Sequence, residues 1–525
     1  MTRMNALRSA ALSAFAAALL CASVSAQEAI HSFADLRYDF LALNGEIGRP
    51  YLNYKTLSDS TWENAEGWRT YGPELFLSYN SALPQGANDG ALWQGRGGNA
   101  RLTAGLRFEG GGFELTLRPE LLASQNLSFA LMPSAYPSEY GYIWGYGPGI
   151  GADAPQQFGD DPLVEGSWGD TELRYTWRGA TIGLGFQSPW LGPGRVNAIM
   201  HSNNAGPYPK ADIGLRRRPV TLFGWYAGDV EARLWAGYLS ESEHFDENEE
   251  NDHNLISALA VAYAPSFLPG LSLFANRSYL APWDAESLGS IPRLFFINLR
   301  KGGAQDDWDQ RASFGFDYLL PEAGVEVYGE AGLNDYGPSL DGYIRYPFHS
   351  MVYTWGLRKA VHIGGDSFCR GEILLEVTNM ELSQDFQFQW PATFYMHHQV
   401  VQGYTNEGQW LGAGIGTGGN SQYLSIRGYA TNGVFEIYIQ RSNPDNDFLY
   451  RETILKDGST STRIEDFRAD LSIGVRMSRP LDERCNLACG FAITQVHNPL
   501  YDGIDWERTD KTYNARAELA ISRDL

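Results

Sequence analysis

The chain has 525 residues, 43% hydrophobic and 13% aromatic, with 58 glycines and a formal net charge of −22. So acidic a chain lacks the clustered Lys and Arg that phosphate neutralisation requires, which excludes nucleic acid as an expected partner. Past the N-terminus no run of about 18 apolar residues offers a transmembrane helix, whereas abundant aromatics and glycine suit strands, turns and interfacial girdles.

Arg3 and Arg8 precede the short apolar run SAALSAFAAALLCASV, and Val24-Ser25-Ala26 supplies small residues for cleavage. This is the pattern of a signal peptide over residues 1–26, leaving a mature chain from Gln27. The run is too short for an anchor, and Leu20 is too bulky for lipoprotein cleavage before Cys21. Without the two arginines, 38 basic residues face 62 acidic ones, a charge near −24. Residues 27–72 are expected to form a periplasmic N-terminal segment, a candidate plug with a short helix around Phe33 to Leu43 ended by Asn44-Gly45.

From residue 73 to 525 the dominant signal is period two. Phe113, Leu115 and Leu117 alternate with Glu114, Thr116 and Arg118; Leu173, Tyr175 and Trp177 alternate with Glu172, Arg174 and Thr176. Leu471, Ile473 and Val475 likewise oppose Asp470 and Arg476. This is strand alternation, and a charged face directly behind a very apolar one fits lipid outside and water inside. A soluble propeller should show a blade-length repeat, and none is found. About eighteen segments begin near 73, 99, 112, 171, 180, 220, 230, 256, 270, 311, 323, 352, 370, 421, 432, 466, 486 and 511. Tight links (EGGG, Arg178-Gly179-Ala180, AGD at 227–229, ATNG at 430–433) alternate with links of about 15 to about 50 residues. The expected fold is an all-β transmembrane barrel of about 18 antiparallel strands, with short periplasmic turns, long external loops and both termini in the periplasm. Cys369, Cys485 and Cys489 make no disulfide framework; Cys485 and Cys489 in one extended strand would lie roughly 13 Å apart, too far to bridge.

Among the long links, Phe186–Lys210 (FQSPWLGPGRVNAIMHSNNAGPYPK) carries the glycines, prolines and asparagines of an ordered loop on the outside or folded into the lumen. Trp190, Asn203, Asn204 and Tyr208 are its candidate sugar contacts. The link is read as ending in GLRRRP, whose Arg216, Arg217 and Arg218 suit an anionic glycan or headgroup, or pair with the protein's own acids. In YPSEYGYIWGYGPG, Tyr142, Trp144 and Tyr146 continue an alternating aromatic stripe that could stack on sugars or belong to a girdle. FYMHHQVVQGYTNEGQWLGAGIGTGGN, from Phe394 to Asn420, is a second Gly-rich loop. No catalytic residue is assigned: His201 and Ser202 are adjacent and no GxSxG elbow surrounds the serine. No metal or cofactor is expected either: His397 and His398 would point apart, and the acidic run 241–254 lacks calcium-loop spacing.

The two loops PWLGPGRVNAIMHSNNAGPYP and HHQVVQGYTNEGQWLGAGIGTGGN resemble signature regions of the capsule-assembly Wzi family of outer-membrane proteins. The resemblance implies an eighteen-stranded barrel, plugged by a periplasmic helical segment and infolded loops. It also implies a lectin-like role in attaching or organising capsular or other extracellular polysaccharide. The chain departs from the barrel pattern at its end, ISRDL, which lacks a terminal aromatic. The function expected is therefore non-catalytic glycan binding by a monomer in contact with outer-membrane lipid. The alternatives are a porin for saccharides or other small solutes and, further off, an outer-membrane hydrolase.

Overall fold

The computed structural model describes residues 32–523 apart from 60–65, 132–139, 141–151, 247, 296–307, 335–343, 345–350, 363–369, 382–393, 398, 431–432, 446, 448–466, 483 and 501–509. The chain forms a closed 18-strand antiparallel barrel. Its strands are β1 (Gly67–Asn80), β2 (Gly97–Gly110), β3 (Phe113–Leu117 and Glu120–Ser124), β4 (Leu163–Ser167 and Glu172–Trp177), β5 (Ala180–Gly185) and β6 (Lys210–Leu222). They continue as β7 (Trp225–Ser240), β8 (His253–Pro265), β9 (Leu271–Pro282), β10 (Asp309–Leu320), β11 (Val325–Asn334) and β12 (Met351–Val361). The last six are β13 (Arg370–Asn379), β14 (Asn420–Ala430), β15 (Gly433–Asn443), β16 (Ala469–Pro480), β17 (Cys485–His497) and β18 (Lys511–Arg523). The seam closes where Leu75 of β1 lies opposite Ile521 of β18. Long connections at one end, including L1 (81–96), L2 (125–162), L3 (186–209), L5 (283–308) and L7 (380–419), alternate with tight ones at the other.

The alternation works as lipid requires. Leu173 is 52% exposed and Ile473 55%, while Arg174 between such apolar neighbours is 1% exposed. The inward charges survive burial because they are paired: Arg174 contacts Glu172 at 2.8 Å and Asp212 at 2.6 Å. A buried guanidinium without such partners would cost several kcal/mol. Cys485 and Cys489 sit on β17 as free thiols.

Four boundaries differ from the sequence reading: β4 starts at Leu163 rather than near 171, and the other three lie at bulges. β1 starts at Gly67, because its ladder with β2 resumes across a register shift between Tyr71 and Glu74. Pro73 has no N–H to offer, so it reads as a strand start rather than a bulge. β6 starts at Lys210, ten residues before its expected start, so Arg216–Arg218 lie within a strand instead of closing a loop. The hairpin that follows turns at Phe223-Gly224, not at AGD 227–229; Gly228, at φ 138°, opposes Val220 beside a register shift and mimics a turn in sequence.

The N-terminal helix, α1 (Phe33–Leu43), forms where its residues predict. Ser32 caps it by accepting the Asp35 amide at 3.1 Å, and Asn44 ends it. It packs at the short-turn end of the lumen on Leu319, Ala360, Tyr429 and Val434, with Phe40 stacked 4.1 Å from Tyr429. Its Asp39 meets Arg49 at 2.9 Å, Arg195 of L3 at 3.0 Å and Arg358 of β12 at 2.7 Å. Glu326 of β11 binds the same three arginines. Burial alone would raise the Asp39 carboxyl; Arg195, Arg358 and Arg49 hold it well below the usual carboxylate range.

Removing Asp39 leaves three buried guanidinium groups around Glu326, with Asp317 also on Arg49 and Glu372 also on Arg358. Asp39→Ala should therefore cost about 3–5 kcal/mol in the seating of the helix. Limited proteolysis should cut the N-terminal segment of this variant while the barrel keeps its heat-modifiable mobility on gels. A protease-resistant N-terminus would contradict the hub.

Candidate functional site

L3 does not stay outside: it descends through the lumen to reach α1. Its backbone has few partners of its own, and a buried unpaired N–H costs about 1–3 kcal/mol. The wall supplies them. Glu376 of β13 accepts the amides of Arg195, Val196 and Asn197 at 2.5, 3.0 and 2.9 Å and the Tyr328 hydroxyl at 2.6 Å. Glu231 of β7 does the same for the N-terminal segment, taking the amides of Leu52, Asn53 and Tyr54 at 2.8, 2.9 and 2.7 Å. The two segments then pair directly, Tyr54 with Leu191 and Lys55 with Trp190.

L7 locks onto L3. The Ser202 amide donates to Leu411 O at 2.8 Å, its hydroxyl to Gly412 O at 2.6 Å, and the Asn204 amide side chain to Trp410 O at 3.0 Å. Tyr395 donates to Ile199 O at 2.6 Å and accepts from Ala413 N at 2.7 Å. The approach is so close that a Cβ on Gly412 would lie 2.3 Å from Ile199 O. An apolar core inside the barrel results, built from Tyr54, Leu191, Ile199, Met200, Tyr208, Trp235, Tyr395, Tyr404 and Leu411.

The filling is lopsided. Between the plug and the inner wall of β13–β18 lies a cavity of about 630 Å³ that runs from the long loops to Leu36 and Asp39 of α1. Trp93 of L1, Trp410 of L7 and Tyr438 of β15 line it, with Asn203, Asn204, Gln440, Arg468 and Arg516. Arg468 forms a bidentate pair with Asp470 at 3.0 Å, and Arg516 pairs with Glu518 at 2.6 Å; each arginine keeps part of its side chain exposed. A second cavity of about 390 Å³ adjoins it toward α1 and shares Phe76, Asn203, Arg476 and Glu518 as lining. Rings, amides and guanidinium groups around one space suit a polyhydroxylated, partly acidic ligand.

The residues nominated from sequence fall in different places. Asn203 and Asn204 line the cavity. Trp190 and Tyr208 are buried in the plug, Trp190 donating to Gly194 O at 2.9 Å and Tyr208 bonding His201 at 2.8 Å. Arg216 pairs with Asp59 at 2.8 Å and Glu114 at 2.6 Å, and Arg217 with Asp229 at 2.8 Å, near the short-turn end. Arg218 donates to Arg178 O. Tyr142, Trp144 and Tyr146 lie outside the described residues. Trp93, Trp410, Tyr438, Gln440, Arg468 and Arg516 were not singled out; they come together only when the barrel closes.

His201 and Ser202 do not form a nucleophile–base pair. The His201 ring bonds Ser202 O at 2.9 Å and the Tyr208 hydroxyl, while the Ser202 hydroxyl is given to Gly412. Burial lowers the His201 pKa to about 4. Its neutral form therefore stabilises the plug above the unfolded value of 6.5, and that stabilisation is lost as pH falls through about 4. Asp153 of L2 has the opposite sign: burial raises it to about 6, so its contribution is lost as pH rises through that value. Acidification to pH 4 should cost wild type up to about 3 kcal/mol through His201. Hydrogen exchange of L3 amides at pH 7 and pH 4 should show this loosening in wild type and much less in His201→Gln. Equal acid sensitivity in both would contradict it.

Comparison with known proteins agrees with this architecture. The family profile described as capsule assembly protein Wzi matches residues 81–506. Among solved structures, Wzi of Escherichia coli, an outer-membrane protein involved in group 1 capsule assembly and a carbohydrate-binding β-barrel, is similar over 94% of this chain and 90% of its own, at 14% identity and a TM-score of 0.56. A BenF-like porin of Pseudomonas fluorescens aligns over 87% of this chain and 99% of its own, at 8% identity and a TM-score of 0.40. OccD3 of Pseudomonas aeruginosa aligns over 88% and 92%, also at 8% and 0.40. No curated protein matches the chain by sequence. With the eighteen-stranded fold shared and most of its length matched, the chain belongs to the Wzi capsule assembly family of outer-membrane β-barrels.

Proposed function

We propose that this protein holds capsular or related extracellular polysaccharide at the cell surface by binding it, without catalysis, in the cavity between the plug and the β13–β18 wall. The observation that carries this reading is the meeting of Trp93, Trp410 and Tyr438 with Asn203, Gln440, Arg468 and Arg516 around one space of about 630 Å³. Aromatic faces stack on the apolar faces of sugar rings, amides exchange hydrogen bonds with hydroxyls, and guanidinium forks match carboxylates. The chain is exported by a cleaved signal peptide at residues 1–26 and works as a monomer surrounded by outer-membrane lipid. A net charge of −22 repels acidic polymers at long range, so an acidic glycan must be recognised locally. A wide solute pore would need the lumen that L1, L3, L7 and the N-terminal segment occupy, and the hydroxyl and imidazole a hydrolase would use are already bonded to the plug.

Purified protein should bind an acidic capsular polysaccharide more tightly than a neutral one. Replacing Arg468 and Arg516 with glutamine should weaken that binding by roughly tenfold, the loss of about one charge-assisted contact. The triple change of Arg216, Arg217 and Arg218 to glutamine provides the second arm. Loss in that arm alone would move the glycan to the nominated arginine run, and loss in neither would remove arginine recognition altogether. Planar-bilayer recordings should show no large steady current from intact protein; such a current would favour a porin.

A further inference from the structure

The inward charges of the barrel fall into two classes. Arg233 of β7, Arg311 of β10 and Arg358 of β12 meet Asp59, Phe394 and Asp39 of the plug, and their side chains are at most 2% exposed. Across the lumen, the side chain of Arg476 on β16 is 42% exposed, Glu518 on β18 25%, Glu74 on β1 30% and Arg101 on β2 23%. These four do not face lipid. Their strand neighbours Leu75, Val475, Met477 and Leu519 are the exposed apolar residues of the outer face, and Arg101 lies opposite Phe76 of the lumen lining. An inward side chain stays exposed only where open space adjoins it.

That space has a cause in the sequence. Toward the short-turn end, the inward positions of β16–β18 hold Ser478, Asn486, Ala488, Ala520 and Ser522, and Gly490 lies in register between Arg476 and Glu518. Such small side chains cannot reach α1, which rests instead on Leu319, Ala360, Tyr429 and Val434 of β10–β15. Ser32, Phe33 and Leu36 of the helix end therefore only border the inner cavity of about 390 Å³. It shares Asn88 and Asp89 of L1, as well as Arg476 and Glu518, with the outer cavity. Together the two spaces run from Pro444 and Arg468 at the long-loop rim to Asn486 and Ser522 at the short-turn rim.

Charge divides this path in two. Six arginines and four carboxylates line the outer cavity, whereas three arginines and six carboxylates line the inner one. An acidic polymer drawn into the first is repelled by the second. A small cation is favoured there, because carboxylates gathered round a constriction select cations.

We propose that the two cavities form a narrow passage beside the plug that conducts small inorganic cations across the barrel. This activity is separate from glycan retention, and only the outer section serves both. The test is planar-bilayer recording of the purified protein, plug intact, across a potassium chloride gradient. Wild type should carry a small steady current, far below that of an unplugged eighteen-stranded barrel, reversing near the potassium equilibrium value. Ser478→Trp combined with Ala520→Trp fills the inner mouth and should lose most of that current. Glu74→Lys leaves the mouth open, so it should keep a current while its reversal shifts toward the chloride value. Absence of current in wild type, chloride selectivity, or a current of unplugged-barrel size would overturn the proposal. So would a full current in the tryptophan variant or an unmoved reversal in Glu74→Lys.

Discussion

Glu231 and Glu376 each accept three consecutive backbone amides from a segment that has no ladder of its own. Irregular backbone inside a barrel is the costly part of this architecture, because every N–H removed from water must find an acceptor. A carboxylate can accept several such donors at once, and charge assistance shortens and strengthens each bond. A single side chain on a wall strand therefore fixes both the position and the direction of a plug segment. From these two anchors the rest follows: Tyr54 and Leu191 are brought into register, L7 closes over L3, and an apolar core forms where a water-filled pore would otherwise run.

The Asp39 hub ties that core to the opposite mouth. Arg195 sits in the same turn of chain that Glu376 grips, so the deepest point of an external loop is bonded to a helix at the short-turn end. The plug thus behaves as one cross-linked body rather than as separate loops. It is anchored to β7 through Glu231 and to β13 through Glu376, and it leaves the two cavities against the β13–β18 and β1 wall, lined by inward ion pairs. This asymmetry gives the protein its candidate function: a full lumen would present no recess to a polymer, and an empty one would leak.

The fold was legible because its physics is local. Two-residue periodicity with lipid on one face marks most strands, and the α1 helix is announced by Asn44-Gly45 at its end. The misplaced starts of β1 and β6 and the shifted hairpin all lie at bulges, where one extra residue breaks the alternation. The site was less legible. L3 and L7 could be recognised as special, yet whether Trp190 or Tyr208 faces a ligand or a core depends on contacts some 200 residues away, such as Ser202 with Gly412. Trp93 and Tyr438 carry no local signal, and for Arg516 the alternation of its strand marks only an inward face; closure of β18 on β1 brings their strands and loops round one cavity.

The central claim is that the molecule retains glycan at the surface rather than transporting or cleaving it. Its most direct measure is the partition of extracellular polysaccharide between cells and medium in a deletion strain, with wild-type complementation. Retention predicts unchanged total polymer of unchanged length, shifted from the cell-attached to the released fraction, and restored by the wild-type chain. An unchanged partition, or polymer altered in length or total amount, would contradict it.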